Sequence, residues 1–321
     1  MRFHDWQELF GLSWTELWPW LQEASRRREA RFGQRVSFCV IINAKSGLCS
    51  EDCAFCSQSA VSRAQIPKYP LLPPEKLLEA ARAAQAQGAA RFSLVTSGKG
   101  ILSRKEQEAI LAAVAAIREQ VPVKVCVSLG IVPRDFLQEL SRLGIYRFHH
   151  NLETARSFFP EICRTHSYDD RLATIRAAQE VGLQVCVGGI VGLGENLAQR
   201  FELAGALKEL EVDSVPLNFL HPLPGTPLSA RPLVTPLEAL KCIIAFRLTL
   251  PDKPLIICGG RQPTLRSLAP LLFAAGANWL MTGDYLTTKG RLPEEDRQML
   301  MDLGLELTQA EPEDVIHPQR S

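Results

Sequence analysis

The chain has 321 residues, of which 46% are hydrophobic and 22% charged, which is the balance of an ordinary soluble globular protein. A net charge of +1 gives no strong attraction to nucleic acid, and no stretch reaches the ~18 apolar residues that span a bilayer. We therefore expect a cytoplasmic protein with no nucleic-acid and no membrane partner, whose nine cysteines serve metal or redox chemistry rather than disulfides.

The predicted elements begin with an N-terminal helical extension over residues 1–35, after which extended apolar runs alternate with helical patterns. The runs are rich in β-branched and aromatic residues and are almost continuously apolar, which is typical of buried strands in a parallel sheet. Eight strands are predicted, at residues 36–42, 91–95, 123–129, 146–152, 184–192, 213–220, 254–260 and 278–283.

Amphipathic helices are predicted between these strands. One segment opens with two prolines and closes on Gly88, and another begins at Ser103, a good capping residue. The predicted helical segments include residues 73–88, 103–120, 168–182, 235–250 and 263–276.

Strand–helix units that follow one another without a Pro-, Ser- or Gly-rich linker predict a single (β/α)8 TIM-type barrel over residues 36–308. An open doubly wound sheet with an appended piece is the alternative. A short polar C-terminal tail is predicted at residues 309–321. Because functional residues of a barrel gather at the carboxyl ends of its strands, residues that directly follow a strand are the first candidates for a site.

Three cysteines, Cys49, Cys53 and Cys56, directly follow the first predicted strand in the stretch CSEDCAFC. Three thiolates on one short loop can bind three corners of a cubic iron–sulfur cluster, which leaves the fourth iron for another ligand. Zinc is the alternative, although the second pair of ligands that a structural zinc site needs is missing from the sequence. A third interpretation is that the three cysteines pack in the core and bind no cofactor. It is disfavoured because their loop is polar and also carries Glu51 and Asp52.

The Cys-x3-Cys-x2-Cys spacing, with Phe55 before the last cysteine, resembles the radical S-adenosylmethionine superfamily. The resemblance implies a 4Fe-4S cluster whose open iron binds the amino and carboxylate groups of S-adenosylmethionine. It further implies that the cluster reduces the cofactor to a 5′-deoxyadenosyl radical, which removes hydrogen from an unactivated C–H bond.

Seven segments carry a closer resemblance, namely NAKSGLCSEDCAFCSQSA, VCVSLG, HHNLET, VCVGGIVGLGE, SVPLNFLHPLPGTPL, GGR and GDYLTT. Together they resemble the biotin synthase family over nearly the whole chain. The resemblance implies a sulfurtransferase that inserts sulfur from an auxiliary iron–sulfur cluster into dethiobiotin and so forms biotin. It also implies flavodoxin or ferredoxin as the reductant and a homodimer as the assembly.

The family holds its auxiliary cluster with three strand cysteines and an arginine, and Cys126, Cys186 and Arg261 match three of these four positions. Ser93 stands where the remaining cysteine is expected, whereas Cys39 stands where those members have a serine. We therefore predict that Cys39 replaces the missing ligand, as in a similar subset of the family. The auxiliary cluster is either 2Fe-2S or 4Fe-5S, and residue types do not distinguish the two.

Three further cysteines are assigned by pattern. Cys258 is the alternative replacement ligand, but strand alternation puts it on the face opposite Arg261, so core packing is predicted for it unless the following glycines form a bulge. Cys242 lies in a helical pattern and is predicted to pack in the core. Cys163 follows the fourth strand, and no role is predicted for it.

The resemblance also assigns residues at strand ends to substrate and cofactor. Asn151 and Asn218 match the residues that bind the ureido ring of dethiobiotin, and a buried amide offers the donor and acceptor that such a ring needs. Glu153, Arg171 and Phe55 are the matching candidates for S-adenosylmethionine, with Glu153 on the ribose hydroxyls and Arg171 on the methionyl carboxylate.

Two other functional interpretations remain open from the sequence. One is another barrel enzyme of the superfamily, of the hydrogenase maturase or methylornithine mutase type, which shares the cofactor loop but does not need the strand cysteines together with Arg261. The other is a non-catalytic iron–sulfur or zinc protein.

Overall fold

The computed structural model describes residues 1–310, over which strands and helices alternate. Residues 311–321, most of the predicted polar tail, lie outside the described residues. The strands are β1 (Arg35–Lys45), β2 (Ala89–Thr96), β3 (Lys124–Ser128), β4 (Arg147–His149), β5 (Gln184–Cys186), β6 (Gly189–Val191), β7 (Val215–Phe219), β8 (Leu255–Ile257), β9 (Trp279–Met281) and β10 (Glu306–Leu307). The helices are α1 (Phe3–Gly11), α2 (Trp18–Phe32), α3 (Pro74–Ala86), α4 (Arg104–Gln120), α5 (Arg134–Arg142), α6 (Phe159–Ile162), α7 (Tyr168–Glu180), α8 (Leu197–Glu209), α9 (Pro236–Thr249), α10 (Arg261–Leu265), α11 (Leu271–Ala274) and α12 (Pro293–Asp302).

Parallel strands form the sheet in the order β5-β4-β3-β2-β1-β9-β8-β7-β6, and β10 pairs with the start of β1. The two end strands, β5 and β6, are halves of the single predicted strand at residues 184–192. Backbone bridges from Cys186 to Ser214 and from Glu153 to Gly189 connect this segment to both of its neighbours. The prediction of a TIM-type barrel is therefore confirmed, with its fifth strand broken in two.

Gly188 explains the break in the fifth strand. A Cβ atom at this position would lie 1.8 Å from the carbonyl oxygen of Pro216 on β7. Only glycine lets the two backbones approach so closely, and the close approach interrupts the regular ladder between β5 and β6.

Strand β2 illustrates how the barrel separates its core from its interior. Phe92 and Leu94 are buried in the main hydrophobic core, between the sheet and the surrounding helices. The alternate residues Arg91, Ser93 and Val95 line a cavity inside the ring of strands. Because successive side chains of a strand point to opposite faces, the polar residues face inward, and the interior is a chamber rather than a packed aliphatic centre.

The N-terminal helices pack on the outside of the barrel. Trp6 of α1 is fully buried, and its ring meets Phe201 of α8 and Phe246 of α9 at centroid distances of 5.7 and 5.8 Å. Burial of a large aromatic side chain stabilises such packing by roughly 2–3 kcal/mol. Within residues 1–310, no helix has the length and apolar character needed to cross a bilayer.

Candidate active site

A cavity of about 390 Å³ lies inside the ring of strands, and we call it the chamber. Every predicted site residue except Arg261 lines it, so the barrel brings the two cysteine sets together with the other candidates. Those lining residues are Cys49, Cys53, Cys56, Cys39, Cys126, Cys186, Asn151, Asn218, Glu153, Arg171 and Phe55.

The cysteine loop, residues 49–56, is held against the segment that precedes α7. Asp52 Oδ1 accepts hydrogen bonds from the backbone N–H groups of Arg164 and Thr165 at 2.9 and 3.2 Å. Burial raises the pKa of Asp52, but these hydrogen bonds outweigh it and lower the pKa to about 2. The ionised carboxylate therefore fixes the position of the loop.

The spacing of the loop thiols distinguishes between a cluster and a single ion. Among residues 1–310, the group of three metal-ligating atoms that lie within 4.8 Å of one another consists of Cys53, Cys163 and His166. The sulfur atoms of Cys49, Cys53 and Cys56 do not form such a group, so at least one pair of them lies more than 4.8 Å apart. This spacing fits thiolates that bind different irons of a cubic cluster, and it disfavours zinc held by the three together.

Arg171 and Glu153 lie side by side on the chamber wall. Arg171 Nη1 is 3.3 Å from Glu153 Oε1 and donates to the carbonyl oxygen of Asn151 at 2.9 Å. Glu153 adopts φ of 68°, a strained conformation for a residue other than glycine, which is common where a site fixes a side chain. A guanidinium beside a carboxylate can bind the charged and hydroxyl groups of a nucleoside-linked amino acid.

The two predicted substrate asparagines also tie the strand ends together. Asn151 Oδ1 accepts from the backbone N–H of Gly188 at 3.1 Å. Asn218 Oδ1 accepts from the N–H of Gly259 at 3.0 Å, and its Nδ2 donates to the carbonyl of Gly189 at 3.3 Å. Each amide oxygen keeps a second lone pair, so both side chains are rigidly placed and still able to bind a urea ring.

The strand cysteines lie on alternate strands of the chamber wall: Cys39 on β1, Cys126 on β3 and Cys186 on β5. Ser93 on β2 is paired in register with Cys126 on β3. Cys39 and Cys186 belong to one buried cluster together with Cys258. Burial raises the pKa of Cys186 and that of Cys258, so these thiols need a metal to be stable as thiolates. Soft sulfur donors in a buried chamber fit an iron–sulfur cluster.

Cys258 packs in a buried core cluster with Cys39 and Cys186, as predicted, and it also lines the chamber. The prediction extended strand alternation through to Arg261. In the structure β8 ends at Ile257, and Gly260 turns the chain with φ of 77°, so alternation does not reach Arg261. Cys242 is fully buried in α9, also as predicted.

Arg261 lies behind the chamber wall, as the first residue of α10. Its Nη2 donates to the carboxylate of Asp296, and both side chains are almost completely buried. Its Nε and Nη1 atoms are buried without a hydrogen-bond partner among the described residues. Arg261 interacts electrostatically with Cys258 and Tyr285, which line the chamber, and its role at a cluster stays a prediction.

Several chamber residues were missed by sequence reasoning. His149 and His150 line the chamber, and burial lowers the pKa of His149 to about 4, so its imidazole is neutral near neutral pH. Arg91 and Arg147 are buried in the same wall, and their charges favour a thiolate at Cys186. Alternation along β2 and β4 is the pattern that could have indicated these inward-facing arginines.

Two family models match the chain. The model of the Radical SAM superfamily matches residues 45–207, and that of the Biotin and Thiamin Synthesis associated domain matches residues 216–306. A biotin synthase of Trichlorobacter lovleyi is 51% identical over 297 residues, which cover 92% of this chain and 89% of the relative. A biotin synthase of Pelotomaculum thermopropionicum is 52% identical over 273 residues and 85% of each chain.

Solved structures resemble the barrel at much lower identity. Methylornithine synthase matches with a TM-score of 0.83 and 21% identity over 98% of this chain and 96% of its own. The FeFe-hydrogenase maturase of Carboxydothermus hydrogenoformans matches with a TM-score of 0.83 and 18% identity over 97% of this chain and 76% of its own. At these identities the likeness concerns the fold alone.

Proposed function

This chain belongs to the biotin synthase family of radical S-adenosylmethionine enzymes, and we propose on that premise that it inserts sulfur into dethiobiotin to form biotin. The observation that carries the proposal is the single chamber whose wall holds the cysteine loop, the strand cysteines and two asparagine amides. The methylornithine synthase and maturase interpretations are supported by the fold alone.

The chemistry of this reaction comes from bound groups: a 4Fe-4S cluster with S-adenosylmethionine supplies a hydrogen-abstracting radical, and an auxiliary cluster supplies the sulfur. We assign the 4Fe-4S cluster to Cys49, Cys53 and Cys56, because their wide spacing suits a cluster and Asp52 fixes their loop. The protein's part is to hold these groups close together and to exclude water from the chamber.

Arg171 and Glu153 are our candidates for S-adenosylmethionine. The guanidinium suits the methionyl carboxylate and the glutamate suits the ribose hydroxyls. Phe55 lines the chamber from the cysteine loop and offers an apolar surface beside them. Since Arg171 and Glu153 contact each other, each orients the other before the cofactor binds.

We assign Asn151 and Asn218 to the ureido ring of dethiobiotin. Their amides are fixed by backbone hydrogen bonds on different strands, which sets the distance between them before substrate binds. A neutral ring is better served by amides than by charged groups, because amides donate and accept without requiring a counter-ion.

For the auxiliary cluster we propose Cys39, Cys126 and Cys186 as ligands, with Cys258 as a further thiol on the same wall. Cys39→Ser should lower the iron and sulfide content of the anaerobically reconstituted protein, whereas Cys242→Ser should leave both unchanged. Unchanged content in Cys39→Ser would exclude Cys39, and a loss in Cys258→Ser would assign Cys258 as a ligand.

The activity is tested with the reconstituted protein, S-adenosylmethionine and a strong reductant, by measuring 5′-deoxyadenosine and biotin with and without dethiobiotin. We expect dethiobiotin to be required for both products. Release of 5′-deoxyadenosine without biotin formation would favour another enzyme of the superfamily, and no release at all would favour a non-catalytic protein.

We further propose flavodoxin or ferredoxin as the electron donor, a homodimer as the assembly and the cytoplasm as the location. These three proposals rest on the membership of the chain in the family. Light scattering of the purified protein tests the dimer, and turnover with purified flavodoxin in place of a chemical reductant tests the donor.

A further inference from the structure

A second group of metal-binding side chains lies behind the cysteine loop. Cys53, Cys163 and His166 each place one ligand atom within 4.8 Å of the other two, and all three side chains are buried. Cys53 and His166 line the chamber whereas Cys163 does not, and the group includes none of the strand cysteines.

Two of the distances within this group are close to those of a tetrahedral site. Zinc binds sulfur at about 2.3 Å and imidazole nitrogen at about 2.0–2.1 Å, so two sulfurs around one ion lie about 3.8 Å apart and a sulfur and a nitrogen about 3.6 Å. Cys53 Sγ and Cys163 Sγ are 3.8 Å apart, and Cys163 Sγ is 3.3 Å from His166 Nδ1.

Glu51 completes the group. Its Oε2 lies 2.6 Å from His166 Nδ1, and the side chains of Glu51 and His166 are 7% and 4% exposed. Arg171 Nε donates to His166 Nε2 at 3.1 Å, which leaves the imidazole proton on Nδ1, between His166 and Glu51. A metal ion can take the place of that proton when the nitrogen and the carboxylate oxygen move from 2.6 Å to the roughly 3.4 Å that separates two ligands of one tetrahedral ion.

We propose that the cluster-free protein binds one zinc or iron(II) ion through Cys53, Cys163, His166 Nδ1 and the Glu51 carboxylate. Binding releases the thiol protons to solvent, with no change in oxidation state. The remaining imidazole proton moves to Nε2, so Arg171 loses that acceptor and keeps its contacts with Asn151 and Glu153.

Sharing of Cys53 makes this ion and the 4Fe-4S cluster mutually exclusive. The single-ion site therefore exists before the cluster is built or after it is lost, and zinc held there blocks cluster assembly. The proposal concerns the cluster-free chain and does not depend on which reaction the loaded enzyme performs.

Cobalt(II) binding under anaerobic conditions tests the site, because thiolate-to-cobalt absorption reports the sulfur ligands. The double variant Cys49→Ser/Cys56→Ser cannot build the cluster but retains all four proposed ligands. We expect it to bind one cobalt ion per chain more than the same variant with Cys163→Ser added. Subtracting the two titrations removes cobalt bound by the strand cysteines.

Two controls make the result decisive. His166→Gln in the double-variant background should lose the same ion while keeping every remaining thiol, whereas Cys242→Ser should lose nothing. Equal cobalt binding with and without Cys163 would overturn the proposal. Circular dichroism of each variant establishes that a lost ion does not reflect a lost fold.

A second measurement uses the native sequence. Cluster-free protein loaded with one equivalent of zinc should rebuild its cluster more slowly than zinc-free protein, as followed by iron–sulfur absorption. Cys163→Ser should abolish this delay. A delay of the same size in Cys163→Ser would place the inhibitory zinc elsewhere and would contradict the assignment.

Discussion

Replacing Asp52 by alanine removes the carboxylate that holds the cysteine loop against the segment before α7. Burial raises the pKa of Asp52, yet the hydrogen bonds from Arg164 and Thr165 lower it from 3.8 to about 2. At about 1.36 kcal/mol per pKa unit, this shift in pKa corresponds to a stabilisation of the folded state by at most roughly 2.4 kcal/mol. Because Asp52 is partly exposed, solvent screening reduces the contribution to about 1–2 kcal/mol.

The assay is hydrogen exchange at the backbone amides of Arg164 and Thr165, which the carboxylate holds. A loss of 1–2 kcal/mol should accelerate exchange roughly 5–30-fold in Asp52→Ala. Asp169→Ala, which removes an exposed carboxylate paired with Arg156, should leave the exchange of these amides unchanged. Equal exchange in Asp52→Ala and the native protein would refute the reasoning.

The lowered pKa of Asp52 also fixes the sign of the pH dependence. A carboxylate whose pKa is lower in the folded than in the unfolded state stabilises the folded state at pH values above its unfolded-state pKa. This contribution disappears as the pH falls toward the folded-state pKa. Protection of the two amides should therefore be complete above pH 3.8 and decline between pH 3.8 and about 2.

Three further substitutions test other parts of the account. Gly188→Ala should destabilise the fold by more than about 4 kcal/mol in thermal unfolding, because the added Cβ would overlap the Pro216 carbonyl. In the control Gly205→Ala, the Cβ on α8 meets open space, so this variant should be neutral or more stable. Arg171→Lys should weaken S-adenosylmethionine binding roughly tenfold in equilibrium dialysis, since lysine lacks the planar fork, and unchanged affinity would remove Arg171 from the site. Asp296→Asn should lower the free energy of unfolding by about 3–5 kcal/mol in denaturant titration, because it leaves the buried Arg261 charge without its carboxylate. A decrease below about 1 kcal/mol would show that the ion pair contributes little to stability.

The barrel was predictable from the sequence because each strand is an apolar run followed by a helical pattern. The break in the fifth strand was not, since it depends on the close approach of Gly188 to Pro216, which lies on a different strand. The division at residues 35 and 308 stays a prediction, as does the character of the tail.

The candidate site was predictable where a residue follows a strand directly, as Cys49 and Asn151 do. The burial of Cys258 was predictable, but its place on the chamber wall was not, because β8 ends at Ile257 and Gly260 turns the chain before Arg261. Cys163 was left without a role, because its contact with Cys53 joins residues 110 positions apart and no local pattern indicates it.

The measurement that tests the central claim most directly is a single anaerobic turnover of protein whose clusters were rebuilt with isotopically labelled sulfide. If the strand cysteines hold the cluster that supplies sulfur, the biotin formed carries the label, and Cys126→Ala yields none while it still cleaves S-adenosylmethionine. Unlabelled biotin, or labelled biotin from Cys126→Ala, would contradict the account.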